Sequence, residues 1–233
     1  MHQNHFHVEL TRKERILGIC YLPFYLILFS LALEFLLMLI LKRNPDPAEL
    51  NACFYGLNLL IVLLLFRRFL LENLRYTNWK RTLVAVPVAL VAYFVITLQV
   101  NSIILVLYPD FANQNNNAVI SILDSDQVFV VIMSVIMAPI IEESLFRGLI
   151  FGSIFRKSRV LAYLVTILCF AAIHVVSYLG VLTPVEIALS ILQYVPASLV
   201  LCAAYQLTDS LITPILLHAC INLIACLLMS TLL

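Results

Sequence analysis

Between Ile16 and Leu41 the chain runs through aliphatic and aromatic residues with one charge, Glu34, and between Thr82 and Pro109 it runs with none. Stretches of that length and polarity suit one solvent. A bilayer crossing takes about 20 apolar residues, and a backbone in lipid must satisfy its own hydrogen bonds, as a helix does. Seven spans are predicted: 16–41, 52–66, 82–109, 128–155, 160–180, 184–207 and 211–231. The second is short, the third and fourth are long enough to tilt, and Pro196 is expected to kink or split the sixth. The count is therefore six to eight. Composition agrees: 63% of the 233 residues are apolar and 12% are charged, against about 25% charged in a soluble domain. The expected fold class is all-α, a polytopic transmembrane helical bundle. Only 5 glycines speak against a turn-rich β-barrel, and a net charge of +1 gives no case for a nucleic-acid partner.

Loop charges set an orientation. Arg12, Lys13 and Arg15 precede the first span. Arg67, Arg68, Arg75, Lys80 and Arg81 follow the second, and Arg156, Lys157 and Arg159 follow the fourth. Together they are 11 of the 14 basic residues. The positive-inside rule places these segments and the N-terminus in the cytoplasm. The asparagine-rich segment Asp110–Gln127 is expected to be an outward-facing loop. Arg67–Arg81 reads as a basic loop with an aromatic belt, in preference to an interfacial helix. The N-terminal stretch lacks a cleavage pattern, and the apolar run behind it is too long for a signal peptide. His2, His5 and His7 read as a solvated tail. The six cysteines form no C-x-x-C pair and read as buried, reduced side chains. No internal repeat or soluble domain is evident.

Ionisable residues inside the spans carry the functional signal, because each costs roughly 2.5–3.5 kcal/mol at membrane depth. Glu34 lies in the first span and stands apart, with the cluster or Arg147 as its candidate partners. The fourth holds Glu142, Glu143 and Arg147. Glu143 and Arg147 stand at i and i+4 with the acid first, the favourable order for a helical pair. Glu142 points about 100° away and has no local cation, which suits a carboxylate that accepts a proton. His174 follows Phe170 by one turn. His218 and Asn222 share a face of the last span and suit a donor pair for a developing oxyanion. A difficulty remains. Measured at 1.5 Å per residue, Glu142 and His174 lie about 20 Å from the basic loop, whereas His218 lies about 12 Å past Asp209. Convergence then requires a fourth helix that ends short of Arg156 or a seventh that begins earlier.

The ordered set Glu142-Glu143-Ser144-Leu145-Phe146-Arg147, Phe170-Ala171-Ala172-Ile173-His174 and His218-Ala219-Cys220-Ile221-Asn222, with the lead-in from Ser210 to His218, resembles the CPBP family, also called Abi. That family comprises CAAX prenyl proteases and bacteriocin-processing or self-immunity proteins. The resemblance covers about 128–231. It divides the chain into N-terminal membrane helices, 1–127, and catalytic-core helices, 128–233. It implies an intramembrane endopeptidase in which Glu142, helped by His174, activates water while His218 and Asn222 hold the oxyanion. Glu143, Arg147 and Phe170 would shape the site. If the site held zinc, the ligands would be Glu142, His174 and His218. The metal-free reading is preferred, because Asn is a poor zinc ligand and a good oxyanion donor. The partners implied are the lipid bilayer and a peptide or protein substrate, prenylated or leader-bearing, in a bacterial plasma membrane. The alternative is a non-catalytic bacteriocin self-immunity or regulatory protein that binds a membrane partner. A proton-relay transporter would be expected to show inverted repeats.

Overall fold

The computed structural model describes residues 6–125 and 127–230. His2 and His5 lie outside the described residues. Six helices are long and apolar enough to cross a membrane. They are α1 (Arg12–Leu41), α2 (Pro47–Leu65), α4 (Trp79–Leu107), α6 (Val128–Phe155), α8 (Pro184–Thr208) and α9 (Ile212–Ser230), with α3, α5 and α7 defined below. A shorter apolar helix, α7 (Arg159–Ile173), makes a seventh candidate. Described residues contain no strand, so the all-α bundle of about seven spans is observed.

Local chemistry explains several helix ends. Thr11 and Glu14, Asp46 and Glu49, and Thr183 and Glu186 each form a reciprocal capping box, satisfying N–H groups that the first helical turn leaves open. Pro47 and Pro184 occupy first positions, where no backbone donor is needed. Pro196 lies within α8, which continues through it as one helix. The expected split does not occur.

The outer surface is aliphatic: Leu64 is 68% exposed, Leu83 68% and Val106 79%. In water such a surface would be prohibitive; against lipid tails it costs nothing, and the chain is an integral membrane protein. Glu34 is exposed on α1. It pairs neither with Arg147, which is engaged elsewhere, nor with the central cluster.

Three other expectations are corrected. Arg67–Tyr76 is a helix, α3, whose Phe69 and Asn73 face inward. Asn73 accepts from the Leu211 N–H at 2.9 Å, and the Thr77 and Ser210 hydroxyls meet at 2.7 Å. Those fixed contacts, invisible to a charge count, turn a basic loop into a packed element. The asparagine-rich segment is likewise no open loop, because Gln114–Ser125 forms a helix, α5. Its start is ordered by Asn113, whose side chain accepts the Asn116 N–H at 3.2 Å.

From Phe6 onward the N-terminal residues are not a solvated tail. Phe6, Val8 and Leu10 are buried, His7 donates its N–H to Asp209 at 2.9 Å, and Glu9 pairs with Arg156 at 3.0 Å. The Phe6 ring stacks on Tyr205 with centroids 4.1 Å apart. All six cysteines are free, as expected, but only Cys202 and Cys226 are buried. Cys20 faces outward, where lipid makes burial unnecessary.

Candidate active site

The centre of α6 is wound wider than an α-helix in two places, Ile132–Met137 and Ser144–Phe151. Such turns are frequent at functional sites. The first has a readable cause. Pro139 has no N–H to give the carbonyl five residues before it, that of Ser134. The Ala138 N–H is directed to the Met133 carbonyl. The open Ser134 carbonyl is taken by Asn222, whose Nδ2 donates at 2.7 Å. One of its two N–H bonds is thus spent on holding α9 against α6, and the other remains.

The second wide stretch carries Arg147, which is fully buried. Arg147 Nη1 donates to Glu143 Oε1 at 2.9 Å, as the i, i+4 spacing predicts. Nη2 donates to the Ser198 hydroxyl at 3.0 Å, and the guanidinium lies over the Phe170 ring, 4.4 Å from its centroid. Glu143 Oε1 also meets His218 Nδ1 at 2.8 Å. Charge-assisted bonds and a cation–π contact thereby compensate three groups that would otherwise be costly to bury. Ser198 and the Glu143–His218 contact were not anticipated.

Glu142, one residue earlier, differs. Each of the two carboxylates buries an Oε2 without a partner, but Glu143 is held through Oε1 by Arg147 and His218, whereas no hydrogen bond among the described residues holds Glu142. His174 ends α7, and its Nδ1 lies 2.9 Å from the Phe170 carbonyl. A carbonyl only accepts, so this nitrogen carries the proton and Nε2 keeps its lone pair. The ring stacks on Tyr194, centroids 4.1 Å apart. Tyr194 was also not anticipated; no spacing links it to His174 in the sequence.

Glu142 and His174 border two adjoining cavities, of about 270 and 410 Å³. The smaller also meets Phe170, His218 and Asn222. All four residues assigned to chemistry therefore surround one space, despite the mismatch in depth. Neither anticipated remedy operates in substance: α6 runs to Phe155, and α9 begins at Ile212. Instead, the turn at Asp209 is not at the molecular edge. α3 and the N-terminal segment cover it, leaving Ser210 and Leu211 buried. His218 starts from a raised base, while the wide stretch Ser144–Phe151 shortens the rise of α6 between Arg156 and Glu142.

The zinc set is a different matter. Among the described residues, no three His, Cys, Asp or Glu side chains gather as a metal site. The Nδ1 contacts of His218 with Glu143 and of His174 with a carbonyl leave only Nε2 of each ring as a candidate ligand. Glu142, His174 and His218 share a cavity without forming a ligand shell.

Comparison with known proteins reaches the same half of the chain. Residues 124–224 match the model of a family described as Rce1-like, Type II CAAX prenyl endopeptidase. No curated protein and no solved structure matches. The matched segment holds Glu142, His174, His218 and Asn222, and the match is in accord with the CPBP resemblance of its motifs.

Proposed function

We propose that this protein is an intramembrane endopeptidase in which Glu142 and His174 activate water against a peptide bond. The observation that carries the reading is the contrast within Glu142-Glu143. Glu143 is bound through Oε1 by Arg147 and His218 and lies off the cavity, whereas Glu142 has no hydrogen bond among the described residues to hold it and borders the cavity it shares with His174. In a buried site, an unengaged acceptor pair is available for proton transfer.

Water held between Glu142 and His174 gives a proton to Glu142, and its oxygen adds to the peptide carbonyl carbon. The carbonyl oxygen becomes an oxyanion. His218, anchored through Nδ1, presents Nε2 to it and donates when protonated, with Glu143 as counter-charge. The remaining N–H of Asn222 is the second donor. Such preorganised donors act without reorienting during reaction. Collapse breaks the C–N bond, and the proton passes to the leaving nitrogen. The products are a new carboxyl terminus and a new amino terminus. In this scheme residues 128–233 supply the chemistry, residues 1–127 complete the walls, and no metal takes part.

Purified protein tested on a farnesylated CAAX peptide provides the trial. Glu142→Gln and His174→Ala should each lower cleavage by about 10²–10⁴-fold, with unchanged membrane insertion. Chelator treatment should leave wild-type cleavage intact. Full activity in both variants, or loss with chelator and recovery with zinc, would overturn the scheme.

A further inference from the structure

The two ends of the bundle are unequal. Most residues bordering the two cavities lie on the parts of their helices remote from the 11 clustered basic residues, and Tyr25, Leu26, Glu142, Ala197 and His218, nearer the middle or the basic side, mark the cavity floor. On α6 the lining runs from Val130 to Glu142 and stops there. On α4 it is Tyr93, Thr97 and Asn101, from the midpoint onward; on α8 it is Gln193, Tyr194 and Ala197, about the middle. The way toward the basic end is filled. Leu145, Phe146, Leu149 and Phe151 are 0–1% exposed, and Phe66 and Phe69 close behind them. The N-terminal segment closes the end itself. Its cavity, beside Gly148 and Ser153, is about 10 Å³, no more than one water's worth.

The open end has a distinct chemistry. Asn113 Nδ2 donates to Gln193 Oε1 at 2.7 Å, and Gln193 Nε2 donates to Asn101 Oδ1 at 3.1 Å. Asn115 and Asn116 stand beside this chain of amides. Among the described residues, Glu142 is the only Asp, Glu, Lys or Arg bordering either cavity. A primary amide both donates and accepts, so a rim of amides matches the alternating N–H and C=O groups of an extended polypeptide. It makes no demand for charge. With the arginine-rich end in the cytoplasm, this rim faces away from it.

We propose that the site is served from the non-cytoplasmic side, and that its substrate is an extended, uncharged polypeptide segment presented there. The proposal rests on the peptidase reading for what happens to the segment. The side of entry rests instead on the place of the cavities in the bundle and on the orientation set by the basic residues.

Two measurements separate the parts. In intact cells, Asn116→Cys should react with a membrane-impermeant maleimide, while Lys157→Cys, at the exposed basic end, should react only after lysis. The wild-type chain, with its six cysteines, sets the background. The reverse pattern overturns the side of entry. The second measurement uses a neutral fluorogenic peptide joined to a membrane-impermeant dextran. Right-side-out vesicles should cleave it and inside-out vesicles should not, and maleimide on Asn116→Cys should abolish the cleavage. Cleavage confined to inside-out vesicles overturns the proposal. If neither vesicle type nor detergent-solubilised protein cleaves any peptide, the peptidase reading and the assigned substrate fall, and the labelling alone decides the side of entry.

Discussion

The basic end of the bundle is a solid and the opposite end is hollow, and the same helix, α6, builds both. From Leu145 to Phe151 every α6 residue is buried. From Val130 to Glu142 the helix borders open space. The charged groups divide along the same line. Arg147 and Glu143 sit at the junction and compensate each other, while Glu142 faces the hollow with an oxygen unsatisfied. A membrane protein holds an unpaired acid in place by making everything beneath it rigid. Packing and ion pairing belong to the floor, and reactivity belongs to the space above it.

Substitutions can break or sharpen that division. The largest effect is expected at the junction. Arg147→Ala leaves the Glu143 carboxylate in a site without its cation, and breaking a buried pair this way costs about 3–5 kcal/mol. Thermal unfolding in detergent should show the loss, while Glu142→Gln unfolds near the wild-type temperature. Equal stability of the two variants would erase the distinction.

In the floor, Gly148→Ala should cost about 1–3 kcal/mol by overpacking. A Cβ there would lie 2.8 Å from the Phe69 ring, which is itself enclosed. Asn73→Ala should destabilise by a similar amount, about 1–3 kcal/mol, because it strands the buried Leu211 N–H. Both are read from unfolding midpoints, and neither touches the cavity. The smallest effect has the opposite sign. Gly56 lies within α2, and a methyl group added there would meet nothing within 4 Å, so Gly56→Ala should stabilise by about 0.5–1 kcal/mol. A loss of stability at Gly56 would show that tight packing is not confined to the floor.

Much of this arrangement is legible in the sequence. Apolar runs declare spans because lipid punishes anything else. The Glu143–Arg147 bond follows from helical spacing, and the polar residues of three spans are expected to meet because isolated burial is expensive. What escapes depends on other physics. The Glu143–His218 bond joins residues 75 positions apart, and periodicity within a span says nothing about facing across spans. The wide turns of α6 break the 3.6-residue pattern on which that reading rests. One clue is present: Pro139 has no N–H for the Val135 carbonyl one turn before it and crowds that carbonyl, so an undisturbed helix is not expected there. The N-terminal segment carries another. Phe6, Val8 and Leu10 alternate with His7 and Glu9, the signature of an extended strip with one face inward, but the histidines draw the reading toward a tail.

The widened stretch Ser144–Phe151 has a consequence for any attempt to re-engineer this chain. A wide turn acts as a phase shifter, setting the angular offset between the part of α6 above it and the part below. Removing a single residue from that stretch would let it rewind as an ordinary helix with the parts above and below it close to their present offset, because a wide turn holds about one residue more than an α-helical turn. A one-residue deletion there should therefore be better tolerated than the same deletion in an ordinary helix, which would swing one part against the other by about 100°.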